Sequence, residues 1–149
     1  MQSFLLFFLA FTGGVFLAVQ GGLNAQLGVL LKHPLLASLV AFATSTAWAL
    51  LVVALGVKTF PDAQQLRQVP YYLWFAGGLC SVLGIGLYYY TIPKLGISTM
   101  ISLGLCGQLI FSVVAGHFGW FDLPTEPINY RSALGVIAMM AGIILVNLK

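Results

Sequence analysis

MQSFLLFFLAFTGGVFLAVQGGLNAQLGVLL, the segment from Met1 to Leu31, contains no charged side chain. An α-helix needs about 20 apolar residues to cross a hydrocarbon core about 30 Å thick. This segment exceeds that length, whereas the apolar part of a cleaved signal sequence is shorter, at about 7–15 residues. We therefore expect it to be a retained first transmembrane helix.

Four more uncharged segments follow, at residues 34–57, 68–93, 95–121 and 132–148. The chain is 60% hydrophobic and 6% charged, whereas a soluble domain carries about 25% charge. The segments are continuously apolar rather than alternating, which excludes the strands of a membrane barrel. We expect an all-α integral membrane protein in a lipid bilayer. Its single domain, residues 1–149, is predicted to hold five helices at about 4–30, 34–57, 71–92, 95–117 and 131–148.

The basic residues flank the predicted spans and form no cluster, a pattern typical of membrane topology and not of nucleic-acid binding. Three fall on each side of the membrane: Lys58, Arg67 and Arg131 on one, and Lys32, Lys94 and Lys149 on the other. The positive-inside rule therefore predicts no preferred orientation. We expect insertion in both orientations and an antiparallel homodimer. The alternative is one orientation, fixed by weaker cues such as loop length.

Amides are prominent among the polar side chains at membrane depth. Gln20 and Asn24 are four residues apart, so they share one face of the first helix, and Gln108 and Ser112 have the same spacing in the fourth. An amide in hydrocarbon needs a partner or a watery cavity. Two interpretations remain open: these groups hold helices together, or they line a cavity and bind a solute.

Three ring side chains extend this candidate site. Trp48 and Tyr88 could stack on a flat or cationic solute, with packing as the alternative. His117, at the end of the fourth span, can titrate near neutral pH, so it is the candidate for proton coupling; an interfacial anchor is the alternative. The sequence has no nucleophile motif, phosphate loop, carboxylate pair or metal-ligand set, so we expect no catalytic residue, metal or cofactor.

Small residues recur at spacings of three, four or seven in three of the spans, which permits close packing of helices. The positions predicted to pack are Gly14, Ala18, Gly21, Gly28, Gly77, Gly84, Gly135 and Gly142. Glycine-lined seams also allow helices to slide, so a role in conformational change is a second interpretation.

Several short motifs resemble those of the YdcZ-type small proteins of the drug/metabolite transporter (DMT) superfamily, which is related to the EamA-like transporters. In chain order they are Gly13-Gly14 with residues 19–28 (VQGGLNAQLG), residues 34–37 (PLLA), Trp74 with residues 77–79 (GGL), residues 93–96 (PKLG), Gly107-Gln108, and residues 116–119 (GHFG). The resemblance covers essentially the whole chain.

This resemblance implies a five-helix bundle equivalent to half of a ten-helix transporter built from inverted repeats. An antiparallel homodimer would rebuild the inverted pair, with the solute site near the midplane. By analogy the first, third and fourth helices would line the cavity, and Gln20, Asn24 and Gln108 would contact the solute. One departure is Gly116, where members of the family often carry an aspartate. Its absence removes a carboxylate that could couple protons or pair with a cation.

We therefore expect a transporter, and specifically an exporter, of a small organic solute in the bacterial cytoplasmic (inner) membrane. It would work by alternating access as an antiparallel homodimer. The alternative is a non-transporting membrane subunit that needs a partner chain.

Overall fold

Long helices account for most of the chain, because in a bilayer an apolar segment of this length satisfies its backbone hydrogen bonds within a helix. The computed structural model describes residues 2–122 and 124–148. In these residues the helices are α1 (Gln2–Leu30), α2 (Pro34–Gly56), α3 (Ala63–Gln68), α4 (Tyr71–Leu95), α5 (Ile97–Phe118) and α6 (Tyr130–Asn147). All except the short α3 are long and apolar enough to cross a membrane. The prediction of an all-α protein with five spans is confirmed.

The chain divides into two compact units, one up to Lys94 and one from Leu95. The first unit contains α1, α2, α3 and nearly all of α4. The second contains α5 and α6, with a short 3-10 turn (Trp120–Asp122) between them.

A tight turn connects α1 to α2. Lys32 adopts a left-handed conformation (φ +56°), and the His33 N–H donates to the Gly28 carbonyl at 3.0 Å, as in a Schellman motif. The imidazole Nδ1 of His33 then accepts a hydrogen bond from the Leu35 N–H at 3.3 Å, next to Pro34 in the first turn of α2. Two helices of the first unit are thereby joined by three residues.

Close packing in the first unit is confined to one half of its long helices. It involves the second half of α1, the first half of α2 and the last part of α4. The buried residues there are Gly21, Ala25, Gly28, Ala37, Ser38, Ala41, Gly86, Tyr89 and Ile92. A Cβ on Gly28 would lie 3.5 Å from the Ala37 Cβ, so the backbones of α1 and α2 approach closely there. Small residues at the contact make this approach possible.

The small-residue positions predicted to pack fall into two groups. A Cβ on Gly21 or Gly28 would meet a neighbouring helix at 3.5 Å, and Ala18 is half-buried. By contrast, a Cβ at the other predicted glycines would meet no described atom within 4 Å, apart from its own helix and chain neighbours; these are Gly14, Gly77, Gly84, Gly135 and Gly142. Packing within the described part of one chain therefore uses only part of the small-residue pattern.

The end of α4 differs from the prediction. The helix continues through Pro93 to Leu95, whereas the sequence predicted an end at residue 92. Proline removes one N–H from the helix, yet membrane helices tolerate it. The helix ends before Gly96, whose φ of +85° and ψ of 153° lie in a region open essentially to glycine alone. The other observed ends of the five spans lie within two residues of the prediction.

Candidate functional site

Two amides of α1 meet a tyrosine of α4 inside the first unit. The Asn24 Nδ2 donates a hydrogen bond to the Tyr89 hydroxyl at 3.0 Å, and the Gln20 Nε2 donates to the same oxygen at 3.5 Å. Tyr89 is only 3% exposed, while both amides are half-buried. We call these three side chains the amide–tyrosine cluster. The structure confirms that Gln20 and Asn24 share one face of α1 and shows what that face contacts.

Helix spacing on α4 explains why Tyr89 points at α1. Gly86, Tyr89 and Ile92 are three residues apart, so they share one face of the helix, and all three are buried. Gly86 lies against α2, because a Cβ there would be 3.1 Å from the Leu35 Cδ2. Ile92 lies against α1, with its Cδ1 3.5 Å from a Cβ built on Gly21. Tyr89 is held between these two contacts.

The cluster lies within the predicted membrane-spanning part of α1, away from its end. The membrane-spanning part of α1 runs from Phe4 to Leu30. At about 1.5 Å per residue, Asn24 lies about 9 Å and Gln20 about 15 Å inside the Leu30 end. Polar groups at this depth cannot rely on bulk water for hydrogen bonds.

The amide oxygens of the cluster accept no hydrogen bond from the described part of the chain. Within residues 2–122 and 124–148, the carbonyl oxygens of Gln20 and Asn24 accept no hydrogen bond, although the nitrogens of both are bonded to Tyr89. Both residues are half-buried and not enclosed. The arrangement therefore presents uncharged hydrogen-bond acceptors at membrane depth.

The other predicted solute contacts are not members of the amide–tyrosine cluster. Trp48 is 68% exposed and lies in the second half of α2, outside the closely packed region. Tyr88 is half-buried and is the residue before Tyr89 on α4. Gln108 and Ser112 are exposed on α5, in the second unit, where the Ser112 hydroxyl donates to a backbone carbonyl of its own helix at 2.9 Å. Their participation in a common cavity stays a prediction.

His117 holds the segment that follows α5. Gly119 ends that helix in a left-handed conformation (φ +63°). The chain then folds back: the Glu126 N–H donates to the Gly116 carbonyl at 2.9 Å, and the Ile128 N–H donates to the His117 Nδ1 at 3.2 Å. The imidazole is thus a hydrogen-bond acceptor that holds this loop, and its interpretation as an interfacial anchor stays a prediction. Its predicted role in proton coupling stays a prediction.

Aromatic rings surround the same end of α5. Phe111 lies 5.9 Å from Trp120 and 6.2 Å from Phe121 between ring centroids, and Phe118 stacks on Trp120 at 6.2 Å. Rings of this kind are typical of the headgroup level of a bilayer. This pattern predicts that the His117 loop lies near the membrane surface.

Sequence reasoning missed two polar contacts between helices. It selected Tyr88 and not Tyr89, although the burial of Tyr89 follows the three-residue spacing from Gly86 to Ile92. It also missed Asn147, whose Nδ2 donates to the Ser102 hydroxyl of α5 at 2.8 Å and joins α6 to it. The sequence could have revealed this contact, because Asn147 is an amide within the apolar last span and an amide there needs a hydrogen-bond partner.

His117→Leu is expected to release the loop after α5, since it removes the acceptor of the Ile128 N–H. A hydrogen bond of this kind contributes about 1 kcal/mol, so the Ile128 amide should exchange its hydrogen about fivefold faster. Exchange measured by NMR on the protein in lipid nanodiscs checks this. His117→Asn is the matched control, because its side-chain oxygen can take the place of Nδ1. Equal exchange in the wild type and in His117→Leu would contradict the anchoring role.

Comparison with protein families identifies the chain. A family model, DMT_YdcZ, described as "Putative inner membrane exporter, YdcZ", matches residues 5–145. No curated protein and no solved structure gave a match. The matched region includes the amide–tyrosine cluster and His117, and it covers all or most of each of the five spans. The chain is therefore a multi-pass protein of the bacterial inner membrane and belongs to the YdcZ family of inner membrane exporters.

Proposed function

We propose that this protein exports a small organic solute across the bacterial inner membrane, working by alternating access as an antiparallel homodimer. The amide–tyrosine cluster would be the solute site. The single observation that supports this most is the position of Gln20 and Asn24. Their amides meet Tyr89 at hydrocarbon depth, in a chain that belongs to an exporter family.

The unpaired carbonyl oxygens favour solute binding over a purely structural role. Amides that served only to join α1 to α4 would gain most by pairing all of their polar atoms, because an unsatisfied polar group in hydrocarbon is costly. In Gln20 and Asn24 the nitrogens are paired, and the oxygens accept no hydrogen bond from the described residues. A solute, or water that a solute displaces, would satisfy these oxygens.

The uneven packing of the first unit supports alternating access. The cluster lies at the border between two regions. On one side are the buried residues around Ala25 and Ala37, and on the other the open halves of α1, α2 and α4. A tightly packed end can act as a fixed part while the open halves change their separation. A solute at the border would then gain access as the open halves move.

Two observations favour a second copy of the chain as the partner. Glycines at helix surfaces, such as Gly77 and Gly142, have nothing from the described chain within 4 Å of an added Cβ. Small residues of this kind favour close approach of another helix. The equal division of basic residues across the membrane permits that copy to insert with the opposite orientation.

The variant Gln20→Ala/Asn24→Ala is expected to lose export, because both solute-contacting amides are removed. The solute is found by comparing the metabolites released by cells that express the protein with those released by cells carrying an empty vector. Release of that solute should fall at least about tenfold, the effect of 1.4 kcal/mol of lost binding. Gln26→Ala is the matched control, since Gln26 is an exposed amide on the same helix.

Two outcomes would contradict this proposal. One is normal export by the double variant at equal membrane expression. The other is the absence of any solute whose release depends on the protein, which would favour a non-transporting subunit that needs a partner chain.

Labelling of intact cells tests the antiparallel homodimer. The free cysteines Cys80 and Cys106 are changed to alanine, and one cysteine is appended after Lys149. A membrane-impermeant maleimide should then label about half of the protein, because balanced flanking charges permit both orientations. Labelling near zero or near completion would show one fixed orientation and contradict the homodimer.

A further inference from the structure

We propose that the hydrogen bond from the Ile128 N–H to the His117 Nδ1 is released when His117 takes up a proton. We call this bond the histidine latch. It joins the last turn of α5 to the residues just before α6 while the imidazole is neutral. The inference concerns the second unit alone and goes beyond the function proposed above, since it involves neither the amide–tyrosine cluster nor a solute.

The donor of this hydrogen bond determines the protonation state of the ring. A backbone N–H can only donate, and the Ile128 N–H lies 3.2 Å from the His117 Nδ1, so this nitrogen carries a lone pair and no hydrogen. A neutral imidazole has one such nitrogen, whereas an imidazolium carries a hydrogen on both and accepts no hydrogen bond in either orientation of the ring. A proton and the Ile128 N–H therefore compete for the same lone pair.

The latch holds the residue that precedes the cap of α6. It closes a loop between residues eleven positions apart. Ile128 is followed by Asn129, which caps α6 by accepting the Ser132 N–H at 2.9 Å. The Glu126 N–H donates separately to the Gly116 carbonyl at 2.9 Å. Protonation of the ring would therefore loosen the loop next to α6 and leave its other attachment to α5 in place.

Groups that do not titrate join the opposite ends of the same two helices. The Asn147 Nδ2 donates to the Ser102 hydroxyl at 2.8 Å, and neither side chain changes its charge between about pH 5 and pH 8. Ser102 precedes His117 by fifteen residues, or about 22 Å along α5 at about 1.5 Å per residue. A proton on His117 would thus act at one end of the pair of helices and leave the contact at the other end unchanged.

The surroundings of the latch accommodate a positive charge. His117 lies in the last turn of α5, where the helix dipole favours a cation. A Cβ on Gly116 would lie 3.7 Å from the Glu126 Cβ, so the Glu126 carboxylate begins beside this turn and offers the charged ring an acceptor. The Arg131 Nε donates to the Tyr130 hydroxyl at 2.9 Å. Besides His117, the ionisable side chains of residues 107–146 are Asp122, Glu126, Tyr130 and Arg131.

Hydrogen exchange of the Ile128 amide tests the latch. It is measured by NMR on the full chain in lipid nanodiscs and divided into the exchange rate of an unstructured peptide, which removes the intrinsic dependence of exchange on pH. We expect this protection factor to fall about fivefold between about pH 8 and pH 5, the effect of losing one hydrogen bond of ordinary strength. The side-chain amide signals of Asn147 should not change over the same range.

Three variants separate the latch from other effects of pH. His117→Asn has a side-chain acceptor that does not titrate, so the protection of Ile128 should no longer depend on pH. His117→Leu has no acceptor, so it should give the low protection of the protonated wild type at both pH values. His33→Asn removes the other histidine, whose Nδ1 accepts the Leu35 N–H in the first unit, and should behave as the wild type does.

The inference is overturned if the wild type protects Ile128 equally at both pH values, or if His117→Asn shows the same fall as the wild type. Asn147 signals that move with pH would show that both ends of the pair of helices respond, and would also contradict it. The proposed export is tested separately, through Gln20 and Asn24, so its failure is distinguishable from failure of the latch.

Discussion

Hydrocarbon supplies no hydrogen bonds, and the apolar segments of this chain contain no charged side chain that could attract water into them. Each polar group at depth therefore needs a partner, which is another helix, a solute or a trapped water molecule. The bond from Asn24 to the Tyr89 hydroxyl at 3.0 Å is how α1 and α4 meet this requirement. The position of the tyrosine in turn depends on the close contacts of Gly86 and Ile92 with the neighbouring helices.

The same contacts divide the first unit into a packed end and an open end. Small residues such as Ala25 and Ala37 bring the helix backbones together on one side of the cluster. On the other side, large apolar side chains such as Trp48 are exposed and suited to lipid or to a second copy of the chain. In the mechanism that we propose, a polar site at this border would combine a fixed support with a part that moves, as alternating access requires.

The features that depend on local spacing could be predicted from the sequence. Span lengths follow from uninterrupted apolar segments, and the common face of Gln20 and Asn24 follows from helix geometry. The partner of these amides could not be predicted. Three successive tyrosines point in directions about 100° apart around a helix, and only tertiary contacts decide that Tyr89, and not Tyr88, faces α1. The continuation of α4 through Pro93 could not be predicted either, because proline removes an N–H that the helix would use and usually marks a helix end, although membrane helices tolerate it.

The most direct test of this account is a double-mutant cycle on the hydrogen bond between α1 and α4. The free energy of unfolding in lipid is measured for the wild type, Asn24→Leu, Tyr89→Phe and the double variant. The account predicts a coupling energy of about 0.6–1.7 kcal/mol, the average and the maximum found for hydrogen bonds between membrane helices by this method. A parallel cycle of Gln26→Leu with Tyr89→Phe should show none. Purely additive effects of Asn24→Leu and Tyr89→Phe would show that the two side chains do not interact and would contradict the account.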